Sequence, residues 1–294
     1  MILLTGASGL AGTFIARELL RRGVPVRALC RTSQAAPAGT EVAVGDLRDP
    51  DSLVRAAAGT SGIVHAACTM TDADADVAAM RALVGAWGAG PFVHVSTLDV
   101  YGLDVGPGPV TEATPVKETF NSYATGKVAC ERLLAEAAAR SGRRDFVVLR
   151  APYIWGPHAT AKRRLVPERM RAGLPIVLPG ETEAEWRRYQ DAWVDARDFA
   201  TIVAECLVRP AGGPLNVASG HHVWHDLYAD LIRLVGSASR IVHKPLAEIA
   251  DDELARKELY AQTWRFSEAA LERALGPIAR RPLAVTLRDT VSVP

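Results

Sequence analysis

The chain has 294 residues, of which 49% are hydrophobic and 23% are charged, proportions that are typical of a globular protein and exclude disordered, collagen-like and coiled-coil chains. Its 34 Lys and Arg residues nearly balance its 33 Asp and Glu residues, so we expect no nucleic-acid partner and no membrane partner. The four cysteines lie far apart, without a C-x-x-C pair, which predicts buried free thiols rather than disulfides or a zinc site. The apolar run that begins at Ile2 is interrupted at Gly6, too early for a signal or membrane helix, so we expect a cytoplasmic protein.

Short apolar segments alternate with amphipathic ones in the first half of the chain. We predict six strands there, at Ile2–Thr5, Val24–Cys30, Glu41–Val44, Gly62–Ala66, Phe92–Ser96 and Phe146–Leu149. Helical spacing of Leu, Val, Ile and Ala predicts four helices between them, at Gly9–Arg22, Pro50–Ala58, Ala75–Trp87 and Tyr123–Arg140. Because βαβ units alternate in this way, the sequence predicts an α/β fold with a doubly wound, Rossmann-type parallel sheet.

The pattern changes after about residue 150, where Pro and Gly separate isolated helices and short strands. We predict that residues 1–150 form a dinucleotide-binding domain, which is completed by about residues 187–213. Residues 151–186 and 214–294 are predicted to form a smaller, mixed α/β C-terminal substrate-binding lobe. Within the first domain we expect Thr71–Asp76 to be a loop.

A glycine-rich segment, TGASGLAG at residues 5–12, lies directly after the first strand and before a helix. Gly6 would permit the tight turn, Gly9 would let the backbone approach a pyrophosphate, and Gly12 would let the helix pack closely on the sheet. The N-terminus of the following helix offers N–H groups and positive potential to an anion. We therefore predict a dinucleotide-phosphate site, with a glycine-rich turn that binds no ligand as the alternative. Its residues are Gly6, Ser8, Gly9, Leu10 and Gly12.

Arg31 lies at the end of the second strand, where an Asp or Glu would bind a ribose 2′-hydroxyl. A guanidinium can pair with a 2′-phosphate, so Arg31 favours NADP(H), and NAD(H) stays open if Arg31 is a solvated surface residue. Asp46 and Leu47 follow the third strand, and Ala66 and Ala67 end the fourth, where open α/β sheets bind their ligands. Asp46 would accept a hydrogen bond from the adenine amino group or, as an equal alternative, cap a turn.

Tyr123 and Lys127 are four residues apart on a predicted helix, so their side chains share one face, and the ammonium of Lys127 could lie near the phenol or near the cofactor ribose beside it. A free phenol has a pKa near ~10, and a neighbouring ammonium favours the phenolate and lowers that value. Tyr123 could then exchange a proton with a substrate, while Thr97, at the end of the fifth strand, would hydrogen-bond the substrate oxygen beside a nicotinamide. The alternative is a buried tyrosine, a lysine that extends to the surface and a threonine that ends a strand.

These segments, taken together, resemble one family. TGASGLAG at 5–12, VSTLDVYG at 95–102, YATGK at 123–127 and LRAPYIWGP at 149–157 occur in the order and spacing of the extended short-chain dehydrogenase/reductases, also called the NAD-dependent epimerase/dehydratase family. WVDARD at 193–198, NVASG at 216–220 and LGP at 275–277 extend the resemblance over nearly the whole chain. The resemblance implies the same roles for Thr97, Tyr123 and Lys127, and it implies a homodimer. Pro152 and Tyr153, in the fourth segment, complete the predicted cofactor-binding set, which also includes Tyr123 and Lys127.

The segments leave the substrate open. Sugar-nucleotide dehydratases of this family place Asp and then Glu directly after the Thr, but this chain has Leu98 and Asp99 there. The expected general acid is therefore missing, which disfavours dehydration, and Asp99 is kept as a candidate substrate contact. Arg188 is a second candidate, although it lies one place out of register with the family's diphosphate-binding arginine. Lys162–Arg164 could also contact a diphosphate.

We predict an NADP(H)-dependent oxidoreductase that interconverts a ketone and a secondary alcohol on a small molecule, with Tyr123 as general acid/base. The first alternative is a nucleotide-sugar epimerase that retains its cofactor. The second is a regulator that binds a dinucleotide without catalysis, against which the intact set of Thr97, Tyr123 and Lys127 argues. The tract from His221 to His225 has no cysteine or suitable carboxylate arrangement around it, so we expect no metal site.

Overall fold

Seven strands form one parallel sheet in the computed structural model, which describes residues 1–106, 108–117, 121–158 and 168–292. The strands are β1 (Ile2–Thr5), β2 (Val26–Cys30), β3 (Glu41–Val44), β4 (Ile63–His65), β5 (Phe92–Thr97), β6 (Phe146–Ala151) and β10 (Gly213–Asn216). Their order across the sheet is β10-β6-β5-β4-β1-β2-β3. Connections lead away from β1 in both directions, so the predicted doubly wound sheet is confirmed, with its switch point between β1 and β4.

Helices cover both faces of this sheet. They are α1 (Leu10–Arg21), α2 (Pro50–Ala57), α3 (Ala73–Gly85), α4 (Ser122–Arg140) and α7 (Ala196–Val208). The helices α1 and α7 pack on one face around buried side chains such as Ile15 and Phe199, and α2, α3 and α4 pack on the other around Leu83 and Leu134. Among the helices in the described ranges, none is long and apolar enough to cross a bilayer.

The helices on the second face begin at polar residues that cap them. Asp49 accepts a hydrogen bond from the amide of Ser52 at 3.2 Å, and Pro50 follows it as the first residue of α2. Asp72 accepts from the amide of Ala75 at 3.0 Å, so α3 begins at Ala73. The expectation of a loop over the whole of Thr71–Asp76 is therefore wrong, because these acidic residues form the cap and first turn of a helix, where its dipole favours negative charge.

The rest of the chain forms two small sheets with helices around them. One sheet contains β7 (Tyr153–Trp155), β9 (Gln190–Asp195) and β11 (Gly220–Val223), and the other contains β8 (Ile176–Pro179) and β12 (Ile241–Lys244). The helices are α5 (Glu168–Arg171), α6 (Glu183–Trp186), α8 (Trp224–Val235), α9 (Ala269–Leu275) and α10 (Leu283–Ser292). Trp155, Trp193 and Trp224 lie in the core of this region. The domain bounds given above stay a prediction.

Candidate active site

The glycine loop joins β1 to α1 and lies against the end of β4. Gly6 has φ +72°, and a Cβ there would lie 2.7 Å from the backbone nitrogen of Ala67. A Cβ at Gly12 would clash with the carbonyl oxygen of Gly6. The amide of Gly9 donates a hydrogen bond to that same carbonyl oxygen at 2.9 Å. Two of the three glycines are thus required by close backbone approaches, as the spacing predicts.

A cleft of about 830 Å³ lies along the carboxyl ends of β1, β2, β3 and β4. This volume is within the range of small-molecule and cofactor pockets. The predicted cofactor residues that line it are Gly6, Ser8, Gly9, Leu10, Arg31, Asp46, Leu47, Ala66, Ala67 and Tyr153. Gly12 is buried beneath the loop, and Pro152 is half-buried between β6 and β7. A loop that admits no Cβ at Gly6 or Gly12, a helix N-terminus directly after it and a cleft of this size fit a dinucleotide.

The sequence did not single out every residue of this cleft. Arg48 and Thr69 line it, as do Cys30, Gly45, Cys68 and Met70. Arg48 follows Asp46 by two residues. The sequence feature that could have identified it is a basic residue in the connection between a strand and a helix. The Asp46 carboxylate accepts a hydrogen bond from the amide of Arg48 at 2.9 Å, which is the turn-capping role. The adenine contact of Asp46 stays a prediction.

Tyr123 and Lys127 lie in the first two turns of α4. The side chain of Lys127 is 4% exposed, and its Nζ lies 5.8 Å from the centroid of the Tyr123 ring. The same Nζ donates a hydrogen bond to the carbonyl oxygen of Val95 at 2.8 Å. Val95 precedes Thr97 by two residues on β5, so this bond holds the N-terminal part of α4 against the carboxyl end of the strand.

Lys127 stays charged although it is buried. Burial alone would lower its pKa, but Tyr123, Cys68, Cys130 and Asp76 outweigh that effect and raise the pKa of Lys127 above its usual value. A charged ammonium beside a phenol favours the phenolate. The arrangement can therefore stabilise the form of Tyr123 that remains after it has given up a proton.

Thr97 ends β5 and is almost fully buried. Its hydroxyl oxygen accepts a hydrogen bond from the amide of Asp99 at 3.2 Å. A threonine hydroxyl carries one hydrogen and two acceptor sites, so this contact leaves the hydrogen available for another oxygen.

The side of the site that faces the smaller sheets is rich in polar groups. Asp99 forms an ion pair with Arg256, whose Nη2 lies 3.0 Å from Oδ2, and burial raises the pKa of Asp99 although Arg256 opposes this. Asp191 of β9 is buried, and its pKa is raised well above its usual value, first by burial. Tyr153 has a raised pKa for the same reason, and Tyr260 lies beside it. Arg256 and Asp191 belong to no motif, so sequence reasoning missed both.

Neither Arg188 nor the histidine tract is among the described residues that line the cleft. Arg188 is exposed after α6, and the described residues that line the cleft do not include it. Lys162–Arg164 lie outside the described residues. The three histidines from His221 to His225 divide between β11 and α8, and two of them have separate hydrogen-bond partners: Nε2 of His221 accepts from the amide of Phe266 at 2.8 Å, and His225 bonds to His243 at 2.9 Å.

Comparisons with known proteins agree on the family. The model of the NAD dependent epimerase/dehydratase family matches residues 2–218. A 2-alkyl-3-oxoalkanoate reductase of Stenotrophomonas maltophilia is 31% identical over 265 residues, which cover 80% of this chain and 76% of the relative. A 4-hydroxy-2-methyl-3-oxo-4-farnesyl-3,4-dihydroquinoline-1-oxide ketoreductase of Stigmatella aurantiaca is 31% identical over 172 residues, which cover 53% of this chain and about half (51%) of the relative.

Solved structures share the fold. The UDP-glucose 4-epimerase of Thermotoga maritima, solved with UDP-glucose, superposes with a TM-score of 0.83 at 19% identity and covers 99% of this chain and 97% of its own. The enzyme WbmH of Bordetella bronchiseptica, solved in complex with NAD+, has a TM-score of 0.80 at 19% identity and covers 99% and 96%. The family model matched over residues 2–218 and the curated relatives establish the family that the glycine loop and the sheet order suggest. The chain belongs to the NAD-dependent epimerase/dehydratase family, the extended short-chain dehydrogenase/reductases, and is an NAD(P)-dependent enzyme.

Proposed function

We propose that the protein reversibly reduces a ketone on a small molecule to a secondary alcohol, with NADP(H) as cofactor and Tyr123 as general acid/base. The observation that carries this proposal is the position of Lys127, whose buried ammonium lies 5.8 Å from the Tyr123 ring and is bonded to β5 at Val95. The two curated relatives are named as a reductase of a 3-oxoalkanoate and as a ketoreductase. Their names support ketone reduction in this chain.

In this proposal the protein holds the ketone oxygen and supplies its proton. The hydroxyl of Thr97 accepts from the amide of Asp99 and so directs its own hydrogen to the ketone oxygen. Tyr123 gives its phenolic proton to the same oxygen, and the ammonium of Lys127 stabilises the phenolate that remains. When bound, the nicotinamide supplies the hydride to the carbonyl carbon. In the reverse direction the phenolate of Tyr123 takes the proton of the alcohol.

The preference for NADP(H) rests on two arginines at one end of the cleft. Arg31 follows β2 and Arg48 follows β3, strands that are neighbours in the sheet, and both residues line the cleft. Arg48 also contacts Asp72, with Nη2 to Oδ2 at 3.3 Å. Guanidinium groups that line the cleft match the charge and geometry of a 2′-phosphate.

A nucleotide-sugar epimerase is the second candidate, which the similarity in fold to the Thermotoga maritima enzyme supports. The exposed position of Arg188, outside the cleft-lining residues, disfavours it.

The homodimer and the cytoplasmic location also stay proposals. Leu134 and Ala138 of α4 are buried in the core of the monomer, so an interface on α4 would use the opposite face of the helix.

The test is turnover of NADPH with 2-alkyl-3-oxoalkanoates and cyclic aryl ketones, followed by nicotinamide absorbance. We expect Tyr123→Phe to lower kcat by at least about 100-fold, since it removes the proton donor, with NADPH affinity nearly unchanged. Tyr189→Phe is the matched control, because the hydroxyl of Tyr189 hydrogen-bonds to Glu185 and neither residue is among the described residues that line the cleft. Turnover by Tyr123→Phe within a few-fold of the wild type would contradict the proposal. Conversion of a nucleotide sugar without net change in absorbance would favour the epimerase.

A further inference from the structure

A buried carboxylate of α3 lies next to the cofactor cleft. Asp76 is 8% exposed, and its Oδ1 accepts a hydrogen bond from the amide of Thr69 at 2.8 Å. The hydroxyl of Thr69 lies 3.1 Å from Oδ2 of the same carboxylate. Thr69 itself lines the cleft, as do its neighbours Cys68 and Met70. The carboxylate therefore fixes the loop that forms one wall of the cleft.

This loop has an unusual backbone conformation. Met70 has φ +68°, in the left-handed region that residues other than glycine rarely adopt. Such a conformation persists only where surrounding contacts enforce it. The carboxylate of Asp76 makes two hydrogen-bond contacts with Thr69, the neighbour of Met70. These contacts can enforce the backbone conformation of Met70.

The backbone of Asp76 also contacts α4, the helix that carries Tyr123 and Lys127. Cys130 of α4 contacts the carbonyl oxygen of Asp76, with Sγ at 3.6 Å, and Cys130 is three residues after Lys127. Tyr123, Cys68, Cys130 and Asp76 are the groups that raise the pKa of Lys127, and Asp76 is the one carboxylate among these four. In return, Lys127 acts to lower the pKa of Asp76, although burial raises it overall. A buried ammonium is costly unless an opposite charge compensates it.

We propose that Asp76 is a positioning residue with two roles: it fixes the wall of the cofactor cleft at Thr69, and it supplies the counter-charge for Lys127. The proposal rests on the proposed function of Tyr123 and Lys127, and it adds a residue from α3 to the groups that control their protonation. One carboxylate then links cofactor binding to proton transfer.

Two kinds of variant separate these roles. Asp76→Asn removes the charge at nearly constant size, and Asp76→Ser removes the same charge with a smaller side chain. Thr69→Val keeps the charge and removes the hydroxyl contact. The measurements are the pH profile of kcat for ketone reduction and the affinity for NADPH by fluorescence titration.

We expect the alkaline limb of the profile to move to lower pH by about one unit in both Asp76 variants. Removal of a negative charge favours the neutral amine of Lys127 and the phenolate of Tyr123, and both changes end ketone reduction at a lower pH. The charged and titratable groups that face Lys127 and Asp76 are Tyr123, Cys68, Cys130, His65, His94 and Asp72. All of them are unchanged in these variants. We expect Thr69→Val to weaken NADPH binding several-fold without moving the limb.

The counter-charge role would be overturned if the alkaline limb of both Asp76 variants lay within about 0.2 pH units of the wild-type limb. It would also be overturned if Thr69→Val shifted the limb as much as the Asp76 variants do. Unchanged NADPH affinity in all three variants would overturn the role in the cleft wall. Failure of the proposed function is a separate result, seen as turnover that survives Tyr123→Phe. The NADPH titration does not require turnover, so it tests the cleft-wall role whether or not the proposed function holds.

Discussion

The guanidinium of Arg150 and the carboxylate of Glu131 form an ion pair between β6 and α4, with Nη2 to Oε2 at 2.7 Å and side chains that are 6% and 10% exposed. Nε of Arg150 lies 3.2 Å from both carboxylate oxygens. Ser96 of β5 donates to Oε1 of Glu131 at 2.5 Å, and the hydroxyl of Tyr101 accepts from Nη1 of Arg150 at 2.7 Å. The pair therefore connects α4, which carries the proposed catalytic residues, to β5 and β6.

We expect Arg150→Met to lower the free energy of unfolding by about 3–5 kcal/mol, because it leaves the carboxylate of Glu131 buried without its cation. Urea denaturation measures this change. Arg187→Met is the matched control: it breaks the pair with Glu183, whose side chains are 54% and 68% exposed, and we expect a change below about 1 kcal/mol. Equal losses in the two variants would contradict the structural role of the buried pair.

The glycine loop offers a second test. Gly12→Ala places a Cβ against the carbonyl oxygen of Gly6, so we expect it to displace the loop, weaken NADPH binding by more than about 10-fold and destabilise the fold by about 1–3 kcal/mol. Gly85→Ala is the control, because a Cβ at this end of α3 meets open space, and helix propensity favours Ala there by up to about 1 kcal/mol. Fluorescence titration and urea denaturation report the two effects. NADPH affinity retained in Gly12→Ala would show that the loop is not needed for binding.

Local patterns were sufficient for the features of the fold that depend on neighbouring residues. The glycine spacing placed Gly6 and Gly12 correctly, because each is required by a turn and a close approach within the same βα unit. The start of α3 was misjudged, since a run of acidic residues after Asp72 has the composition of a loop, although it is also that of a helix N-terminus. Arg256 could not be found, because it meets Asp99 across 157 residues of chain and no spacing rule connects them.

The choice of cofactor can be tested at Arg31. We expect Arg31→Ser to weaken NADPH binding by about 10-fold or more, since a charge-assisted hydrogen bond contributes about 1.5–3 kcal/mol. NADH lacks the 2′-phosphate, so its affinity should change by less than about three-fold. Arg48→Ser should have the same direction of effect, because Arg48 lines the same end of the cleft. Equal losses for the two dinucleotides would contradict 2′-phosphate recognition.

The stability of the fold should depend on pH through His222. This residue of β11 is 5% exposed and packs edge-on against Trp224 with ring centroids 4.5 Å apart. Neither of its ring nitrogens has a hydrogen-bond partner among the described residues. Burial, with a smaller effect of His221, lowers the pKa of His222 to about 3. The native state therefore keeps this ring neutral over most of the acidic range.

An unfolded histidine binds a proton below about pH 6.5, whereas the folded His222 does not until about pH 3. Its contribution to stability is thus fully present above pH ~6.5 and is lost progressively as the pH falls toward the folded pKa. We expect His222→Leu to reduce the stability difference between pH ~7.5 and pH ~4.5 by about 3 kcal/mol, measured by urea denaturation. Leu227→Ala, which removes buried packing in α8 but no titrating group, should lower stability equally at both pH values. A pH dependence in His222→Leu that parallels the wild type would mean that this ring is solvated or paired in solution.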